Sequence, residues 1–202
     1  LINRRTCAVI LETVQGEGGI YPATEEFLKG VRALCDQYGL LMILDEIQCG
    51  MGRTGHMFAW QGYGVKPDVM TVAKALGNGM PVGAFLACGP AATAMVPGDH
   101  GTTYGGNPLV TAAAAKVLDL FAERKIVEHV REIGGYLWDT LEKLAAECPL
   151  VKDHRGVGLI QGLEFTVPVG PVVQEALLEQ KLILISAGAN VIRFVPPLVI
   201  EK

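Results

Sequence analysis

The chain has 202 residues, half of them hydrophobic, and a formal net charge of −4. A slightly acidic chain without basic clusters does not predict a nucleic-acid surface, and no apolar run approaches the roughly 18 residues that a membrane span needs. No signal peptide opens the chain and its five cysteines are scattered. We therefore expect reduced thiols and a cytoplasmic location, without a membrane or nucleic-acid partner.

Short apolar runs alternate with helical patterns along the chain, which predicts an α/β fold with a mainly parallel sheet and flanking helices. Thr24 is a good helix N-cap because Glu25 and Glu26 follow it near the positive end of the helix dipole, and Gly39 ends that helix. The predicted strands cover 7–11, 40–44, 68–73, 83–88, 158–165 and 191–195, and the predicted helices cover 25–38, 109–121, 126–148 and 172–180.

The pattern changes character in the last third of the chain, where strands surround a helix in an α+β arrangement. We place a domain boundary near 122–125. Residues 1–124 are then expected to form part of a large domain, and residues 125–202 a small C-terminal α+β domain that is truncated.

Two of the predicted strands bring charged side chains to one edge of the sheet. Asp45 and Glu46 follow the first strand, and Lys74 follows the second. Open α/β sheets bind ligands at the carboxyl ends of their strands, and charges delivered there are costly to desolvate unless they pair or do chemistry. On residue type alone Lys74 could still be a surface lysine, and Asp45 a simple strand-end acid.

Residues 50–55 match the dinucleotide pattern G-x-G-x-x-G and follow a strand. That pattern also needs an acid about twenty residues further on to hold a ribose hydroxyl, and the chain has Lys74 at the corresponding strand end. Asp45 and Glu46 would repel a pyrophosphate, so a dinucleotide site is disfavoured. The four histidines do not cluster at ligand spacing, so we expect no metal.

Five separated motifs resemble those of class III aminotransferases, which are pyridoxal 5'-phosphate enzymes of fold type I. In chain order they are ETVQGEGG, LDEIQCGMGRTG, TVAKALGNGMPVGAF, HGTTYGGNP and VIRFVPPLVI. The resemblance covers essentially the whole chain. It implies transfer of an amino group from N-acetylornithine to 2-oxoglutarate in arginine biosynthesis, with ornithine or 4-aminobutyrate as alternative donors.

The resemblance assigns cofactor-binding roles to four residues. Lys74 would form a Schiff base with the cofactor aldehyde and move a proton during catalysis, and Asp45 would keep the pyridine nitrogen protonated. Gln48 would contact the phenolic oxygen of the ring, and Thr103 would bind the cofactor phosphate of the neighbouring subunit. The loop containing Thr103 also suits an anion on physical grounds, because it opens a helix at its N-terminus. An active site shared in this way implies a homodimer.

Three residues are implied in binding the amino-acid and 2-oxo-acid substrates. Arg193 lies on a predicted strand among apolar neighbours, and a buried arginine needs an acidic partner or an anionic ligand. By resemblance Arg193 binds the α-carboxylate of one substrate, and Glu17 pairs with Arg193 when the other substrate is bound. Thr102 would face the substrate.

Members of this family are considerably longer than the present chain, so we expect a fragment that lacks the N-terminal part. That part supplies a glycine-rich phosphate loop, an aromatic that stacks on the cofactor, and the residue that selects the substrate side chain. The chain alone is expected to bind the cofactor weakly and to turn over little. The alternative is a non-catalytic fragment that kept the scaffold, but a scaffold needs none of Lys74, Asp45, Thr103 and Arg193.

Overall fold

The computed structural model describes residues 2–202 and separates into two compact units. The first unit comprises residues 2–13, Thr24–Met51 and Phe58–Lys125, and the second comprises Val14–Ala23, Gly52–Met57 and Ile126–Lys202. The units therefore differ from the contiguous division predicted from the sequence by two short segments. Both segments are held by the second unit, since Arg131 Nε donates to the carbonyl of Gly55 and Arg155 Nε to that of Gly19.

The described residues contain ten strands and five α-helices. The strands are β1 (Ala8–Glu12), β2 (Val14–Gln15), β3 (Tyr21–Pro22), β4 (Leu41–Asp45), β5 (Val69–Val72), β6 (Ala84–Ala87), β7 (Val151–Val157), β8 (Ile160–Phe165), β9 (Ile185–Ala187) and β10 (Val191–Phe194). The helices are α1 (Glu25–Tyr38), α2 (Trp60–Tyr63), α3 (Pro108–Glu123), α4 (Ile126–Glu147) and α5 (Gly170–Leu178).

The first unit is built on a four-stranded sheet in the order β1-β4-β5-β6. Strands β1, β4 and β5 run parallel, and β6 runs antiparallel to β5. The predicted α/β class with a mainly parallel sheet is thus confirmed, and the antiparallel direction of β6 is a new finding. The connection between β5 and β6 is short, because the turn over Gly77–Gly79 reverses the chain without a crossover helix.

The two faces of this sheet differ in burial. Met42 and Leu44 on β4 and Met70 and Val72 on β5 are buried and lie on one face. The opposite face carries apolar residues that stay partly or largely exposed: Ile10, Leu41, Ile43, Val69 and Phe85. The register places Asp45 and Thr71 on this second face, at its carboxyl end.

Helix α1 forms where its capping residues predict. Thr24 Oγ1 accepts a hydrogen bond from the N–H of Phe27, and Gly39 ends the helix in the left-handed conformation. Only part of the predicted apolar face is buried in this unit. Leu28 and Cys35 are buried, whereas the other large side chains of that face are exposed: Phe27, Leu34 and Tyr38.

The second unit contains an antiparallel sheet in the order β7-β8-β10-β9 and a separate β2–β3 hairpin. Its core is a cluster formed by helix α4 and the sheet: Leu141, Leu163, Phe165, Val169 and Ile192. The predicted α+β pattern is therefore present. Helix α4 runs unbroken through its Gly134-Gly135 pair, as predicted.

Strand β7 was not predicted, because its sequence VKDHRGV is mostly polar and its register contains an irregularity between Val151 and Asp153. Strand β8 begins at Ile160 and not at Gly158, which sits in the left-handed region at φ 57°. None of the helices within residues 2–202 combines the length and the apolar composition that a membrane span requires.

Candidate active site

Asp45 is the last residue of β4 and lies between β1 and β5, opposite Glu12 and Thr71. Its Oδ1 accepts hydrogen bonds from the N–H of Ile47 at 2.9 Å and from Thr71 Oγ1 at 3.2 Å. The side chain is half-buried. Two donors on one oxygen fix the orientation of the carboxylate and leave Oδ2 available to a further partner.

Lys74 lies two residues beyond the end of β5, as the first residue of a short 3₁₀ turn, Lys74–Leu76. Its φ is +46°, and its carbonyl accepts hydrogen bonds from the N–H groups of Gly77 and Asn78. A lysine held in the left-handed region stores strain of about 1–3 kcal/mol, which Lys125 and Lys181 share, so the strain by itself does not mark a site. The side chain is exposed.

Asp45 and Lys74 share one edge of the sheet. Strands β4 and β5 are parallel neighbours, so their carboxyl ends point the same way, and both residues follow those ends. This is the position at which open α/β sheets bind ligands. An exposed amine and an oriented carboxylate at this edge fit a ligand that carries an electrophilic carbon and a basic nitrogen.

Glu46 was expected at the sheet edge together with Asp45, but the structure gives it a buried position. It is 1% exposed, and its two carboxylate oxygens accept hydrogen bonds from the N–H of Ala59 at 2.8 Å and of Trp60 at 2.9 Å. Burial raises the pKa of this carboxyl, although the two N–H donors oppose that shift. Glu46 thereby closes the loop that follows β4. A weak signal was its place beside Asp45 after a buried strand.

Gln48 lies in the turn three residues after Asp45 and is half-buried. Thr102 and Thr103 lie in an exposed loop before α3, where Thr102 Oγ1 accepts a hydrogen bond from the N–H of Gly105 at 3.0 Å. Asn107 caps α3 through the N–H of Val110. The loop therefore ends at a capped helix N-terminus, as predicted, and the cofactor and substrate roles of these three residues stay predictions.

The G-x-G-x-x-G segment at 50–55 does not have the structural context of a dinucleotide site. It forms a series of turns, and the next helix, α2, has only 4 residues. Gly50 serves packing: a Cβ there would lie 2.5 Å from the carbonyl oxygen of Glu46. The strand–loop–helix unit that presents a helix N-terminus to a pyrophosphate is absent from residues 40–63.

In the second unit, Arg193 and Glu17 form the ion pair that the resemblance implies. Arg193 on β10 is 6% exposed, and its Nη1 lies 2.6 Å from Glu17 Oε1. The Glu17 side chain is 74% exposed and is carried by the β2–β3 hairpin. The role of this pair in substrate binding stays a prediction.

Arg53 is a partly buried cation of this unit that sequence reasoning missed. Its Nη1 donates to the carbonyl of Leu159 at 3.0 Å and to that of Pro196 at 2.5 Å. Burial lowers the pKa of Arg53 to about 10. Because its partners are backbone carbonyls, Arg53 ties loop segments together and offers no sign of substrate binding. No cluster of three or more potential metal-binding side chains occurs among the described residues.

The family model of class-III aminotransferases matches residues 1–202, and the chain belongs to this family. It is 50% identical over 198 residues to an acetylornithine aminotransferase of Clostridium acetobutylicum, and 48% identical over 202 residues to a succinylornithine transaminase of Salmonella newport. These alignments cover 98% of the chain in both cases, but 51% and 49% of the two relatives.

Solved structures show the same likeness. An ornithine delta-aminotransferase of Plasmodium falciparum superimposes with a TM-score of 0.91 at 37% identity, over 97% of the chain and 51% of that structure. The chain spans about half the length of the curated relatives it matches.

Proposed function

We propose that this chain is part of a pyridoxal 5'-phosphate-dependent aminotransferase that transfers an amino group from N-acetylornithine to 2-oxoglutarate, in arginine biosynthesis. The observation that carries the proposal is the placement of Asp45 and Lys74 at one carboxyl edge of adjacent parallel strands. The names of the relatives support the donor class, since each contains ornithine or an acylated ornithine.

The residues at this edge fit the cofactor. When bound, pyridoxal phosphate supplies an aldehyde that combines with amines and a ring that accepts electrons from the substrate carbon. The Asp45 carboxylate, already oriented by Ile47 and Thr71, would hold a proton at the ring nitrogen. Lys74 would bind the aldehyde carbon through Nζ and later carry a proton at that atom.

Further residues of each unit are proposed to take part in binding. Gln48 would hydrogen-bond the phenolic oxygen, and Thr103 would bind the phosphate held by the partner subunit of a cytoplasmic homodimer. Thr102 would contact the substrate. In the second unit Arg193 would bind the carboxylate of the 2-oxo acid, and Glu17 would neutralise Arg193 when a terminal amine is the substrate.

Reductive trapping tests the proposal. The full-length protein is treated with borohydride in the presence of pyridoxal phosphate and digested, and the peptides are analysed by mass spectrometry. We expect a pyridoxyl adduct on Lys74 that is absent in Lys74→Ala. It should be retained in Lys66→Ala, where the replaced lysine is exposed and precedes β5 in the same unit. No adduct, or one spread over surface lysines, would contradict the enzyme and favour a non-catalytic scaffold.

Substrate assays on the full-length protein then select the donor. We expect kcat/KM to be highest for N-acetylornithine. A higher value for ornithine or for 4-aminobutyrate would keep the enzyme class and change the substrate. The 202-residue chain by itself is expected to show little cofactor absorbance, and a strong band that disappears in Lys74→Ala would contradict that expectation.

A further inference from the structure

Arg155 on β7 binds the hairpin that carries Glu17. Its Nε donates to the carbonyl of Gly19 at 2.9 Å, and its guanidinium carbon lies 3.9 Å from the centre of the Tyr21 ring. Nη1 donates to Asp153 Oδ2 and to Glu164 Oε2, each at 2.7 Å. One planar side chain thus joins β7 and β8 to the tip of the hairpin through two different nitrogens and its flat face, a geometry that the compact ammonium of a lysine does not reproduce.

The hairpin tip has a second anchor in Ile20. This residue is fully buried at φ 58°, a conformation that a β-branched side chain rarely adopts. A Cβ added to Gly162 on β8 would lie 3.1 Å from the Ile20 side chain, so the absence of a side chain at Gly162 makes room for it. The segment Gly19–Tyr21 is therefore fixed on the sheet on both sides.

Glu17 differs from these anchored residues because its side chain is largely in water. Its own burial therefore does not fix Glu17 over Arg193. The position of its backbone contributes to holding it there, because Glu17 lies two residues before the carbonyl that Arg155 binds.

The charge of Arg155 is well compensated. Burial alone would lower the pKa of its guanidinium, but the hydrogen bonds to Asp153 and Glu164 outweigh burial and raise it. Lys152 also pairs with Glu164, at 2.5 Å, from the same strand but without a hydrogen bond to the hairpin. Removing Lys152 is therefore a matched control for loss of a cation beside Glu164.

We propose that Arg155 is a positioning residue that sets the competition between Glu17 and a substrate carboxylate for Arg193. The inference rests on the proposed aminotransferase function. A 2-oxo acid must displace Glu17 to reach Arg193, whereas a donor that presents a terminal amine brings no carboxylate there and leaves the pair intact. Arg155 therefore favours the amine half-reaction over the oxo-acid half-reaction.

The test compares Arg155→Met with Lys152→Met in the full-length protein. Hydrogen exchange of the amides at 16–20 is expected to accelerate only in Arg155→Met. Calorimetry is expected to show tighter binding of 2-oxoglutarate in that variant. In Arg155→Met the single-turnover rate with the 2-oxo acid, divided by the single-turnover rate with the amine donor, should rise about tenfold. This size corresponds to the loss of one charge-assisted hydrogen bond. In a Glu17→Gln background the same substitution should leave the ratio unchanged.

Arg155→Lys is a milder variant for the case that Arg155→Met folds poorly. It keeps a positive charge beside Glu164 but loses the planar guanidinium with its separate N–H donors. It should shift the amide exchange at 16–20 and the ratio of the two rates in the same direction as Arg155→Met. The positioning role would be overturned if amide hydrogen exchange at 16–20 did not change in the Arg155 variants. It would also be overturned if exchange became faster but the ratio of the oxo-acid rate to the amine rate stayed equal to that of Lys152→Met. Tighter 2-oxoglutarate binding without transamination of any donor would support the positioning role and refute the proposed enzyme.

Discussion

At the scale of single residues, Lys74 combines a left-handed backbone with a place at the carboxyl edge of β5. A left-handed conformation costs a non-glycine residue about 1–2 kcal/mol, and Lys125 and Lys181 adopt it as well. What distinguishes Lys74 is therefore its strained backbone together with its position beside Asp45 at the ligand-binding edge of the sheet.

This strain predicts a difference between two substitutions. The free energy of unfolding should be about 1 kcal/mol higher for Lys74→Gly than for Lys74→Ala, because only glycine adopts this φ without cost. Lys74→Gly should therefore unfold at a higher urea concentration. Both variants should lose the pyridoxyl adduct. Equal stability of the two variants, measured without cofactor, would mean that the backbone at residue 74 is not strained.

Residues of the site could be identified from the sequence to different degrees. The shared edge of Asp45 and Lys74 follows from strand ends, since parallel strands bring their carboxyl ends together, but their roles came from the resemblance. The partnership of Arg193 with Glu17, 176 residues apart, came only from resemblance, because no local pattern encodes a contact at that separation. The buried role of Glu46 and the anchoring role of Arg155 were missed because both depend in part on backbone groups, which every sequence contains.

At the scale of secondary-structure elements, the helices that carry capping residues or a continuous amphipathic pattern were predicted well. Helix α1 has Thr24 and Gly39 at its ends, and α4 has a continuous amphipathic pattern. Strand β7 could not be predicted, since its polar residues are paired by side chains from elsewhere, such as Glu142, which binds His154 on β7 at 2.7 Å. Whether such a segment forms a strand depends on its tertiary partners more than on the strand propensity of its residues.

The two neighbouring glycines of α4 provide a prediction at this scale. A Cβ on Gly134 would lie 2.8 Å from the backbone of Gly158, whereas a Cβ on Gly135 meets nothing within 4 Å. Gly134→Ala should therefore destabilise the protein by about 1–3 kcal/mol through overpacking. Gly135→Ala should stabilise it by about 0.5–1 kcal/mol, the usual gain inside a helix.

Urea unfolding of both variants measures these effects with the same chemical change at adjacent positions. Stabilisation by Gly134→Ala, or similar losses in both variants, would show that α4 does not approach the turn at Gly158 this closely.

At the scale of the whole molecule, the acid sensitivity of folding has an identifiable contributor in Asp68. Burial alone would raise the pKa of Asp68, but hydrogen bonds from the N–H of Met42 and from Arg32 outweigh it and lower the pKa below its usual 3.8. A lowered folded-state pKa adds stability that is present above pH 3.8 and is lost as the pH falls through the folded-state value.

Asp68→Asn should therefore reduce stability at neutral pH by about 1–3 kcal/mol, because Arg32 loses a partner, and should flatten the decline of stability in acid. Asp36→Asn is the matched control, since Asp36 binds the same arginine at 2.8 Å but is more exposed. It should change little at any pH. Thermal unfolding between pH 3 and pH 7 compares them, and identical profiles would refute the assignment.

The open face of the β1-β4-β5-β6 sheet has a practical consequence for anyone who purifies this chain by itself. Ile10 is 67% exposed and Phe85 50% exposed, and half-exposed aliphatic side chains lie between them. Such a surface should bind a hydrophobic dye and raise its fluorescence even when the protein is fully folded, a signal usually taken to mean loosened packing. Ile10→Thr should lower the dye fluorescence and leave cooperative unfolding intact. That result would distinguish dye binding by the native sheet from dye binding by a molten state.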